Sequence, residues 1–174
     1  MAEREAWKVA KAKKIDLVTI NPNFVLGPAL SVSAADSGSI SVGYVKAMVE
    51  GAKAAGGSPI ICDVRDVARA HVVAAENAGA EGRYIVSQPG AVLPAAMAAA
   101  IGAAVRDCGF AKEAALLPEA EKAPEGETGK ARIDSSRTVK DLGVVLRSPE
   151  ETMVDAARSL IKLGVAVPAS KVEG

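Results

Sequence analysis

Three short runs rich in apolar and β-branched residues, at 15–20, 60–63 and 83–87, alternate along the chain with longer stretches whose apolar residues recur at helical spacing. The pattern therefore predicts an α/β fold. Aromatic residues make up 3% of the chain, so Ala, Val, Ile and Leu must form the core. Ala-rich helices approach a sheet closely, which suits the same architecture. The 174 residues show no internal repeat and no domain boundary, so residues 1–174 read as one unit, large enough to bury about 70% of its unfolded surface.

The pattern places a helix at 2–14, with Ala2, Ala6, Val9 and Ala10 on one face, and a buried strand at 15–20 that Asn21-Pro22 ends. A loop at 27–39 precedes a helix at 41–50, and a second loop at 51–59 leads to the strand at 60–63. The next helix, at 66–78, sets Val67, Ala70, His71, Ala74 and Ala75 on its apolar stripe, with Asp66 as N-cap beside Arg65 and Arg69. After the strand at 83–87 comes a helix at 94–108, stopped by Gly109, with Met97, Ile101, Ala104, Val105 and Cys108 as its buried stripe. Residues 118–131 are acidic, contain Pro and Gly and lack any period, so a mobile surface loop is expected there. The final helix is the most fully specified. Ser148-Pro149-Glu150-Glu151 is a capping box with Pro at the first helical position, and Gly164 stands where the C-terminal cap belongs.

With 21 basic and 21 acidic residues the formal net charge is zero, which offers neither nucleic acid nor an anionic membrane an electrostatic reason to bind. No apolar run approaches the ~20 residues of a membrane span, and residues 1–14 lack the apolar stretch of a signal peptide. Cys62 and Cys108 read as two buried free thiols in a reducing compartment, which makes the cytoplasm the expected location.

Candidate chemistry is sparse. His71 is the single histidine, so any Ser-His-Asp or Cys-His device would need it, yet no G-x-S-x-G elbow supplies a partner. Asp63, Asp66 and His71 have no recognised metal-ligand spacing, and no cysteine pair supports zinc, so no metal site is expected. No G-x-G-x-x-G follows a strand, and no G-x-x-x-x-G-K-[ST] occurs. The residues alone describe an α/β polypeptide without a complete catalytic set.

Several strings, in order, resemble the extended short-chain dehydrogenase/reductases, the group that includes dihydroflavonol reductase, cinnamoyl-CoA reductase and the yeast methylglyoxal-type reductases. They are A-E-R-E-A-W (2–7), D-L-V-T-I-N-P-N-F-V-L-G-P (16–28), D-V-R-D-V-A-R-A-H (63–71), A-E-G-R-Y-I-V-S (80–87), D-L-G-V (141–144) and the pair Ser159-Leu160. The resemblance runs over nearly the whole chain. It implies the C-terminal half of a doubly wound, Rossmann-like sheet with the small substrate-binding part, the N-terminal nucleotide-binding half lying outside this sequence. By the same resemblance the cofactor is NADP. Pro22, Asn23, Phe24 and Val25 would face its carboxamide, Ser39 would touch cofactor or substrate, and Asp66 and His71 would have structural, cleft-lining roles. A ligand at the carboxyl ends of parallel strands is the rule for open α/β sheets.

The family's Gly-rich turn and its Ser, Tyr and Lys have no counterpart here, so no catalytic residue is assigned. Hydride transfer needs the Tyr as proton donor and the Lys beside it. The expected function is the substrate-side portion of an NADP-dependent reductase of a dihydroflavonol, cinnamoyl-CoA or small carbonyl compound, inactive and without cofactor as an isolated chain. The alternative is a non-catalytic remnant that binds a partner or small molecule through the exposed half of the cleft. The strand at 15–20, central in a parent sheet, would leave an unpaired edge through which the chain could self-associate.

Overall fold

The computed structural model describes residues 2–35, 38–53, 58–119 and 133–169. Its elements, in chain order, are α1 (Ala2–Lys13), β1 (Val18–Pro22), β2 (Phe24–Leu26), α2 (Val32–Ala35), α3 (Ile40–Val49), β3 (Ile61–Asp63), α4 (Val64–Glu76), β4 (Gly82–Val86), α5 (Pro94–Asp107), α6 (Ala111–Ala114), α7 (Ser136–Leu142) and α8 (Pro149–Lys162). The expected loop at 118–131 falls almost wholly outside the described residues.

All strand pairing is parallel. β1 pairs with β4, from Val18 opposite Gly82 to Pro22 opposite Val86, and β2 pairs with β3, from Phe24 opposite Ile61 to Leu26 opposite Asp63. The α/β class is as expected, but two boundaries differ. The first strand begins at Val18, and Ile15 is exposed. Asn21-Pro22 does end β1, with both residues paired to β4, but the chain resumes at Phe24 as a second strand, β2, that was not expected. Asn23 is where the strand changes partner, from β4 to β3. Pro22 occupies the last position of β1, where its missing N–H interrupts no further rung.

Two apolar clusters hold these layers. The larger packs α3, α5 and α8 around Met97, Ile101, Val105, Met153 and Leu160. The smaller surrounds Tyr84 and Val86 of β4 with Cys62, Ala70 and Leu142. The helices are built as their sequences dictate. On α8 the Ser148 Oγ accepts from the Glu151 N–H at 3.1 Å, Pro149 opens the helix, and Gly164 adopts a left-handed φ of +69° just beyond it.

The outer edge of β4 is covered by α7, whose side chains satisfy strand carbonyls. The Thr138 hydroxyl donates to the Ile85 carbonyl at 2.6 Å, and the Ser135 hydroxyl donates to that of Ser87 at 2.7 Å. Covering an edge in this way blocks strand addition. The opposite edge of β1 has no strand partner among the described residues. α1 is fastened beside it through Glu3, which accepts from Trp7 Nε1 at 3.1 Å and from the Arg83 guanidinium at 2.6 Å. The Arg83 hydrogen bonds and then the Trp7 bond hold the Glu3 carboxyl below its usual range.

Candidate functional site

At the carboxyl end of β2 the chain turns at Gly27 and opens a groove of about 370 Å³. Val25 and Leu26 form its floor, and residues 27–30 one wall. Ser39, Val42 and Val45 at the start of α3 face Ala156 and Leu160 of α8. Among the described residues the lining is almost wholly apolar and includes no charged side chain. Leu30, 92% exposed, stands at the rim. Gly27 is required by this turn. Its φ is +142°, and a Cβ there would lie 2.7 Å from Cγ1 of Val64. Gly27→Ala should therefore destabilise the chain by about 2 kcal/mol, read as a fall in the urea midpoint at unchanged slope.

The five residues expected to face a cofactor divide between two places. Val25 and Ser39 line the groove. Pro22 and Asn23 line a shallower depression of about 330 Å³ with Asn21, Arg83, Ile85, Ile133 and Asp134. Phe24 lies between them, its ring edge-on to Tyr44 at 5.6 Å and its N–H bonded to the Ile60 carbonyl. The two places meet where the strand changes partner at Asn23.

From the string at 63–71 Val64 lines the groove, and the other residues take different assignments from those expected. α4 starts at Val64 and its N-cap is Asp63, not Asp66: Asp63 Oδ1 accepts from the Arg65 N–H at 2.8 Å. Asp63 is 1% exposed and also binds the Arg65 guanidinium at 2.7 Å; Arg65 reaches on to Asp155 of α8 at 2.8 Å. Burial alone would raise the Asp63 pKa, but the Arg65 hydrogen bonds and charge and the Thr152 hydroxyl outweigh it and hold the carboxyl below its usual range.

Asp66, 2% exposed, is turned into the structure and grips Arg147. Its Oδ2 accepts from the Arg147 N–H at 2.7 Å and its Oδ1 from the guanidinium. The counter-charge of Asp66 is thus Arg147, not Arg65 or Arg69. Arg147 also meets Glu151 at 3.2 Å, and its carbonyl accepts from the Gln88 side chain. These bonds tie the first turn of α4 to residues 147–151 at the start of α8.

His71 does not lie on the apolar face or in the cleft. It is exposed, and its Nδ1 sits 2.8 Å from the Val67 carbonyl. A carbonyl only accepts, so Nδ1 carries the proton. Burial pushes the Cys62 thiol up to about 11, which keeps it protonated and unreactive at neutral pH. Both cysteines are free, Cys62 buried and Cys108 half-buried. Among the described residues no cluster of His, Cys, Asp and Glu could hold a metal ion, and no helix is long and apolar enough to cross a membrane. Gly27, Arg147 and the apolar wall residues were not among the expected site residues. The G-P at 27–28 is the sequence signal that could have located the turn.

No protein-family model matches the chain. Cinnamoyl-CoA reductase 1 of Arabidopsis thaliana is 32% identical to it over 180 aligned positions, 97% of this chain and 46% of that protein. The chain is homologous to the extended short-chain reductases. Among solved structures, a reductase engineered for asymmetric catalysis superposes on this chain with a TM-score of 0.73 at 25% identity, over 92% of this chain and 49% of that one. The yeast methylglyoxal/isovaleraldehyde reductase, complexed with NADPH, gives 0.66 at 24% identity over 94% and 53% and shares the fold. The segment thus spans about half the length of the reductases it matches, and its architecture is a partial Rossmann-like fold.

Proposed function

We propose that this chain is the C-terminal, substrate-side portion of an NADP-dependent reductase of a carbonyl compound, of the dihydroflavonol, cinnamoyl-CoA or small aldehyde and ketone type. The observation that carries this reading is the apolar groove at the carboxyl end of β2, lined by Val25 and Ser39, next to the partner change at Asn23. Homology to reductases over 97% of the chain supports it. NADPH, when bound, supplies the hydride. The 22–25 backbone suits the uncharged carboxamide end of such a cofactor, whereas no Gly-rich phosphate-binding turn occurs in the sequence. Catalytic Tyr and Lys groups and the phosphate cradle must then come from the other part of the enzyme. This chain's residues bind the apolar part of the substrate, exclude water from it and hold the two sides of the groove at a fixed spacing.

Two measurements test the reading. Titrated with NADPH in a calorimeter, the isolated chain should show no saturable micromolar binding and should reduce no carbonyl; saturable binding would overturn the division of labour. Exchanged for the matching segment of Arabidopsis cinnamoyl-CoA reductase 1, it should support NADPH consumption with at least one cinnamoyl thioester or aldehyde. A folded chimera that binds NADPH but reduces none of them would favour the non-catalytic binding module.

A further inference from the structure

The wall at 27–30 has no regular secondary structure, and Pro28 has no N–H with which to anchor it. It is nevertheless tied to a helix 130 residues away. The Ala29 N–H donates to Ser159 Oγ at 2.9 Å, while the same hydroxyl donates to the Ala156 carbonyl, one turn back on α8, at 2.7 Å. That second bond orients the hydroxyl. With its proton committed to Ala156, a lone pair is left for Ala29. Ala156 and Leu160, which flank Ser159 on α8, themselves line the groove. On its other side the wall abuts Val64 at Gly27, and Val64 begins the helix that Asp63 caps. The wall is therefore seated between α4 and α8, and one hydroxyl determines how far it stands from α8.

We propose that Ser159 is a positioning residue for substrate selection, holding the Ala29 backbone so that the groove keeps a fixed width for an uncharged, apolar portion of the ligand. It touches no reacting atom and acts through the wall. The inference rests on the groove being the substrate site proposed above. A hydroxyl at this position has no other requirement in the helix: Ala is the better helix former, and Ser pointing at a carbonyl of its own helix is neutral to unfavourable there.

The test uses the full chain, with Ser159→Ala and Ser159→Thr. Hydrogen exchange of the Ala29 amide and binding of 1-anilinonaphthalene-8-sulfonate, an arylamine dye for apolar grooves, are the two readouts. Loss of one hydrogen bond of ordinary strength corresponds to roughly a 5-fold change in an equilibrium. Ser159→Ala should accelerate Ala29 exchange and weaken dye binding by about that factor, while amides of α5 and α8 keep their protection. Ser159→Thr, which retains the hydroxyl, should restore both. Unchanged Ala29 exchange in Ser159→Ala would overturn the proposal, as would dye binding indifferent to the substitution or absent from the unsubstituted chain. In the chimera, Ser159→Ala should raise KM for the carbonyl substrate with little change in kcat. A chimera without any activity, alongside the expected exchange and dye results, would count against the reductase reading and leave the positioning role supported.

Discussion

Arg147→Met should lower the stability of the chain by about 3–5 kcal/mol, more than any substitution of its partner Asp66, because it leaves a buried carboxylate without a cation. Asp66 is 2% exposed, and both its oxygens are occupied by Arg147. Met fills the space of the arginine stem but offers nothing to Oδ1. Asp66→Asn is the milder change, expected at about 1–3 kcal/mol. The guanidinium it disappoints is 35% exposed and still has Glu151 and water. The asymmetry is the informative part, since a simple count of lost hydrogen bonds would rank the two alike. Urea unfolding of the two variants at pH 7 measures it. Equal destabilisation would mean that the pair contributes packing rather than charge compensation.

The helices that bury a continuous apolar stripe, or that carry local capping signals, were legible from sequence. α5 and α8 buried Met97, Ile101, Val105, Met153 and Leu160 as their spacing requires, and Ser148 capped its helix. The α/β class was equally legible from the alternation of strands and helices, whereas the partial Rossmann-like architecture came from the family resemblance. The face of α4 was drawn too far round, for a specific reason. Val67, Ala70 and Ala74 do pack on the core, but the side they share runs on through Asp66, and a buried aspartate at that position looks like a polar interruption. The stripe was extended through His71 and Ala75 instead, and it turned an exposed histidine inward. Ala offers little hydropathic contrast to correct the phase.

The cap was misassigned for a related reason. Asp63 and Asp66 are both acceptable N-caps in sequence, and only the partner distinguishes them. Asp66's partner is Arg147, 81 positions away, which no local rule detects. The split of the first strand at Asn23 was hidden likewise, because the two halves read as a single strand followed by a turn until their different neighbours are known. Of the candidate site, Val25 and Ser39 line one groove, whereas the 27–30 stretch beside them is held by a long-range bond to Ser159 and a close approach to Val64.

Asp63→Ala should cost about 3 kcal/mol, combining loss of an N-cap with loss of charge-assisted bonds to Arg65. Asp63→Asn should retain the cap and cost about half as much, since an asparagine oxygen still accepts from the Arg65 N–H. The pH dependence separates the two contributions. The Asp63 carboxyl lies below its ordinary value of 3.8 in the folded chain, so it binds a proton more readily when unfolded. A group with that sign adds stability that is fully present above the unfolded pKa and is lost as pH falls through the folded one. The contribution of Asp63 should thus be constant from neutrality down to about pH 5 and decline below about pH 4. Removing the guanidinium reverses the balance. In Arg65→Met, burial acts on Asp63 with one fewer opposing charge and moves its folded-state pKa back up, so the chain should be less stable at neutrality and the acid-linked loss due to Asp63 should shrink or reverse sign. Thermal melts of the unsubstituted chain, Asp63→Asn and Arg65→Met between pH 3 and 7 provide the comparison. Both variants should show a shallower acid slope than the unsubstituted chain, Arg65→Met from a lower starting stability. A decline in Arg65→Met that coincides with that of the unsubstituted chain would show that the Arg65 charge has no hold on Asp63, leaving the cap and the Thr152 hydroxyl to fix the start of α4.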